Sequence, residues 1–212
     1  MVRDRFWWFP LIGVLFIAVI IAGFTIAGEP PDIDKPAQEA VDFYVDNRDA
    51  VMISSLLECF AAALFVMFGA YLRNHLRATE GVGGTPSLAM FAGTIVLATG
   101  LAFDATLNFT LAETADEIDP TAVQALLALW HNDFLPFALG AFLFLGGLGV
   151  SVLRYGGLPK WIGFIAIALA LTALTPAGFV AVIGAALLVG VIGVILAMQA
   201  RSGTAGRPAT AP

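Results

Sequence analysis

Charge is scarce in this chain, and cysteine scarcer still. Only 12% of its 212 residues are Asp, Glu, Lys or Arg, where a soluble domain carries about 25%. Hydrophobic residues make up 59% and the mean hydropathy is +0.91, so a water-soluble globule is excluded and a multi-spanning membrane protein remains. The single cysteine, Cys59, rules out an internal disulfide framework, and there is no CxxC or Cys/His metal spacing. Neither HExxH nor GxSxG occurs, which removes the local signatures of zinc proteases and serine hydrolases. The basic residues are too few and too scattered for a nucleic-acid footprint.

What the chain has in abundance is uninterrupted hydrocarbon. Apolar runs at 7–27, 51–72, 87–110, 123–153, 161–175 and 179–200 predict an all-α, polytopic domain of six transmembrane helices over residues 1–200. The first run is longer than the core of a signal peptide and reads as a retained helix, with Trp7 and Trp8 at the interface. The fourth predicted helix begins near Thr121, exceeds one crossing, and is expected to kink at Pro136. Residues 201–212, rich in Gly, Ala, Pro and Thr, are expected to form a disordered tail. Gly140, Gly146, Gly147, Gly149, Gly184, Gly190 and Gly193 read as close helix-packing positions.

Segment 28–50 is polar and acidic. Pro30, Pro31 and Pro36 open it in extended form; from Ala37, the residues Ala37, Ala40, Val41, Tyr44 and Val45 share one helical face, away from Glu39, Asp42, Asp46 and Asp49. A short amphipathic helix in the first outer loop is predicted, read as a solvated connector with a lid over the polar residues as the alternative. Eight of the ten basic residues (Arg3, Arg5, Arg73, Arg77, Arg154, Lys160, Arg201 and Arg207) fall on one side of the six spans, against Lys35 and Arg48 on the other. That asymmetry predicts cytoplasmic termini. His75, among the inner arginines, reads as solvated or facing headgroups. A weak internal echo pairs Gly83-Gly84-Thr85-Pro86 with Gly156-Gly157-Leu158-Pro159, an offset of 73 residues that sets Glu58 opposite His131.

Ionisable side chains inside apolar runs cost about 2.5–3.5 kcal/mol each on insertion scales, so they need a partner, water or a ligand. Glu58 lies roughly 10 Å into the second span at 1.5 Å per residue, with Ser54 one turn above it. Asp104 and Asn108 share a face near the end of the third, and Trp130-His131-Asn132-Asp133 precedes the fourth crossing at a similar level. The candidate ligand-binding residues are therefore Glu58, Asp104, Asn108, Trp130, His131 and Asp133. Of these, Glu58, Asp104, His131 and Asp133 also form a candidate set for a divalent cation; no cofactor is required. No catalytic residue is assigned, although His131 with Asp133 near Ser54 and Ser55 would be the minimal hydrolase arrangement.

Leu56-Leu57-Glu58, with the apolar run ending Tyr71-Leu72-Arg73-Asn74-His75-Leu76-Arg77, and Leu158-Pro159-Lys160-Trp161-Ile162-Gly163-Phe164 at the start of the fifth helix, resemble a bacterial six-helix membrane family known only as a domain of unknown function. The likeness covers roughly 50–200. It implies a bacterial inner-membrane protein with a glutamate in its second helix, and no substrate. The leading functional expectation is an outward-facing acidic pocket among helices 2, 3 and 4 that binds or transports a small cation or polar ligand. The alternatives are a structural or accessory membrane subunit, partnered by another membrane protein or by its own copies, and thirdly a membrane-embedded metal-dependent hydrolase.

Overall fold

The computed structural model describes residues 7–81 and 83–202. All regular structure among them is helical. A 3-10 turn, Phe9–Leu11, leads into α1 (Ile12–Ala27); α2 (Ala37–Asp46), α3 (Arg48–Glu80), α4 (Thr85–Thr114), α5 (Pro120–His131), α6 (Phe134–Tyr155), α7 (Lys160–Ala173) and α8 (Gly178–Ser202) follow. Among the described residues, five stretches are long and apolar enough to cross a membrane: Phe9–Ala27, Arg48–Glu80, Thr85–Thr114, Pro120–Tyr155 and Gly178–Ser202. The chain has the make-up of a multi-pass membrane protein in contact with lipid. Arg201 and Ser202, expected to open a disordered tail, instead close α8; the rest of that tail, 203–212, and the basic residues Arg3, Arg5 and Arg207 lie outside the described residues.

The segment predicted as a fifth span forms the short helix α7, 14 residues ending at Ala173 rather than 175. Pro176 bars the residue before it from the helical region, and Thr175 Oγ1 turns back to Thr172 O at 2.7 Å. The helix spans about 21 Å at 1.5 Å per residue, against a hydrocarbon core of about 30 Å.

A second difference bears on the site. The long fourth helix is not kinked at Pro136 but broken ahead of it, at Asn132 and Asp133. A proline within a helix removes one N–H and crowds the carbonyl four residues back, here that of Asn132; restarting at Phe134 puts Pro136 in a first turn, where neither matters. Asn132 reinforces the break, its side-chain amide donating to Ala128 O at 2.7 Å.

One end of the bundle carries the tight turns. Gly81 (φ 74°) ends α3 and Gly156 (φ 85°) ends α6, both in the left-handed region that suits glycine. Glu80 spans the first turn, accepting from Ser87 N at 2.9 Å and Ser87 Oγ at 2.7 Å. His75 is not simply solvated: its Nε2 lies 3.0 Å from Gly157 O and joins the two turns. Arg73, Arg77, Arg154, Lys160 and Arg201 gather here. The opposite end is acidic, since segments 28–50 and 113–119 hold eleven of the sixteen Asp and Glu residues.

Two apolar cores result. The larger fills the bundle around Phe65, Phe68, Leu145 and Leu148. The smaller sits at the acidic end, where Ala40, Val41 and Tyr44 of α2 meet Val123 and Leu127 of α5 and Leu111 of α4. Helix α2 is thus a packed roof rather than a solvated connector, and Gln124 ties the extended segment to α5 by donating to Ile33 O and Lys35 O.

Asp119 caps α5, its Oδ1 accepting from Thr121 N at 2.8 Å, and that bond holds its carboxyl below the usual carboxylate range. A depressed value adds stability that is complete above the unfolded value of ~3.9 and disappears as pH falls through the folded one. In Asp119→Ala, residues 121–123 are expected to lose amide-exchange protection at neutral pH, and the difference from wild type should close on acidification. A difference independent of pH would remove the carboxylate from this role.

Candidate functional site

Between the two cores lies a layer of buried acids. On α3, Ser54, Ser55 and Glu58 are all enclosed, Glu58 being only 3% exposed. Ser54 Oγ donates to Gly23 O of α1 at 2.9 Å and lies 3.3 Å from Glu58 Oε1. On α4, Asp104 is 7% exposed, and its Oδ2 accepts from Asn108 Nδ2 at 3.1 Å. The other end of that amide, Oδ1, accepts from the hydroxyl of Tyr44 at 3.3 Å. Tyr44 has no exposed surface; burial, and then the charge of Asp104, push its phenol above the ordinary range, so it remains a donor at physiological pH.

The break after α5 completes the layer. Asp104 faces the carboxyl of Glu58, the carboxyl of Asp133 and the indole of Trp130. Three helices thus bring three carboxyls together with no basic side chain among their contacts. Among the described residues, buried atoms with no hydrogen-bond partner of good geometry include Glu58 Oε2, Asp133 Oδ2 and Trp130 Nε1. Such atoms cost free energy in a low-dielectric interior unless something supplies the missing bond.

Of the six residues expected to form the site, five converge: Glu58, Asp104, Asn108, Trp130 and Asp133. The exception is His131, which is exposed. Its Nδ1 lies 3.3 Å from Leu127 O of its own helix and its ring stands edge-on to Trp130 at 5.0 Å. Trp130 takes the inward place beside Asp104, which leaves the imidazole on the helix surface. Of the expected four-residue metal set, Glu58, Asp104 and Asp133 lie together and His131 stands apart from them. The hydrolase arrangement is not assembled: Ser55 donates to Val51 O at 2.9 Å, Ser54 is engaged with α1, and neither meets an imidazole.

Comparison with family models, with curated proteins and with solved structures finds no match to this chain.

Tyr44 belongs, by sequence, to the apolar face of α2, with no part in the expected site. The available signal was its hydroxyl, the one polar group on a face otherwise made of Ala and Val, which needs a partner once that face is covered.

Proposed function

We propose that this chain is a six-span membrane protein, with α7 as the sixth crossing and the basic turn end in the cytoplasm, that binds a cationic or hydrogen-bond-donating group at an outward-facing cluster of Glu58, Asp104 and Asp133. A bacterial inner membrane and the six-helix family named above suit this reading; five long apolar helices and the basic turn end support its topology.

The observation that carries the site is Glu58 Oε2, on a side chain 3% exposed, set against the carboxyl of Asp104 and with no hydrogen-bond partner of good geometry. Carboxyls so placed in low dielectric stay together only if protons, a cation or a donor-bearing ligand balance them. The acidic loops above would draw cations toward the cluster. The Asn108 amide donates directly to Asp104 and is itself braced by the Tyr44 hydroxyl, while Trp130 and Asp133 meet the same carboxyl from the break after α5. A positively charged organic group needs no fixed coordination number, which suits three carboxyls better than a metal that would call on His131.

The test is calorimetric titration of the detergent-solubilised protein with butylammonium and, separately, with Ca²⁺. Glu58→Gln is expected to weaken butylammonium at least about thirtyfold, the consequence of losing ~2 kcal/mol from one side of a buried charge pair. His131→Ala should leave binding unchanged. Ca²⁺ binding that depends on His131 would replace this reading with a metal site, and equal behaviour of wild type and Glu58→Gln would reduce the cluster to helix packing.

A further inference from the structure

Directly beneath the acid layer, toward the turn end, lies a crevice of about 350 Å³ with only hydrocarbon on its walls. Phe65, Leu101 and Phe137 form its inner wall, and Phe24 and Leu187 stand at its mouth, 54% and 59% exposed on the lipid-facing surface. Helices α1 and α8 meet at the turn end, where Gly13 lies against Val189 O and Gly193 against Pro10 O. The crevice opens where they part, nearer the acidic end.

The crevice and the acids are in register on three helices. Leu101 precedes Asp104 by three residues on α4, Phe137 of α6 follows Asp133, the N-cap of that helix, by four, and Phe65 follows Glu58 by seven on α3. At 1.5 Å per residue these are offsets of roughly 4.5, 6 and 10.5 Å. Phe24 follows Gly23, whose carbonyl takes the Ser54 hydroxyl beside Glu58. A volume of this size lies at the small end of ligand pockets; its own walls are apolar, and the offsets along the helices set the layer of Glu58, Asp104 and Asp133, with Glu58 Oε2 lacking a hydrogen-bond partner of good geometry, above one end of it.

We propose that crevice and cluster are two halves of one site, and that its ligand is a single-chain amphiphile with a cationic head, reached from the membrane between α1 and α8. The head lies at Glu58 and Asp133, and the chain descends past Leu101 and Phe137. This rests on the cluster binding a cation, and the crevice adds the chain.

The two halves can be tested apart with the protein in phosphatidylcholine nanodiscs. The probes are hexadecylamine, hexadecanol and palmitate, each with the same mid-chain diazirine, together with unlabelled butylammonium. Photolabelling by the amine is expected to exceed that by the alcohol and the acid. Ala186→Phe, which fills the crevice from its wall, is expected to reduce amine labelling about tenfold or more, as loss of most apolar contact with one chain requires, while butylammonium affinity is unchanged. Glu58→Gln should reduce both. Loss of both in Glu58→Gln with amine labelling undiminished in Ala186→Phe would overturn the crevice and leave the cation site standing. Equal labelling by all three probes would make the crevice an ordinary lipid contact, and unchanged binding in Glu58→Gln would remove both readings.

Discussion

The Glu58→Gln protein is expected to melt higher than the wild type while losing its ligand. Glu58 is enclosed on α3 against Asp104 and Asp133 with no basic residue to offset them, an arrangement that costs free energy in an unliganded protein. Glutamine keeps the shape and an oxygen for Ser54 while its amide can donate to the neighbouring carboxyls. The gain is about 1–3 kcal/mol, the scale of an undercompensated buried group, read as a shift in thermal unfolding at fixed detergent and pH. Asp104→Asn is expected to gain less, since Asn108 already donates to Asp104 at 3.1 Å. A rise in stability together with lost butylammonium binding is the mark of a site held under strain for use. A fall in melting temperature with unchanged binding would make Glu58 a packing residue.

The second large effect concerns the contact between α4 and α6. At Gly93 an added Cβ would run into Phe144 N and Gly140 O, and at Gly147 into Met90 N and Pro86 O. These obstacles are backbone, so no side-chain rotation relieves them and the helices must separate. Gly93→Ala and Gly147→Ala are each expected to cost about 1–3 kcal/mol or more, visible as a lower melting temperature and a broadened size-exclusion peak. Gly146, one residue before Gly147, has nothing within 4 Å of its added Cβ. Gly146→Ala is therefore expected to be neutral, or to stabilise by up to ~1 kcal/mol through helix propensity. Equal losses at Gly146 and Gly147 would refute close approach as the cause.

Those glycines show where sequence reading succeeds and where it stops. A stripe of small residues announces close packing, and most of the predicted positions do lie against a neighbour, but the stripe does not exclude Gly146. The start of α2 at Ala37 was legible because Pro36 and an apolar face at helical spacing mark it. The convergence of Glu58, Asp104 and Asp133 was legible because acids in hydrocarbon need company. The outward turn of His131 was not: once the helix breaks at Asn132, adjacency in the chain no longer says which of Trp130, His131 and Asp133 turns inward. Nor was the roof, since Tyr44 finds Asn108 across 64 positions of chain, and no local period reports that.

Ser54 has one hydrogen to give and two oxygens within reach of it, Gly23 O at 2.9 Å and Glu58 Oε1 at 3.3 Å. The seating of α1 and the comfort of the buried glutamate therefore draw on the same proton. A sideways step of α1 that lengthens the first contact hands that proton wholly to Glu58. Whatever wedges the wall open thereby alters the acid above it, with a single hydroxyl as the messenger.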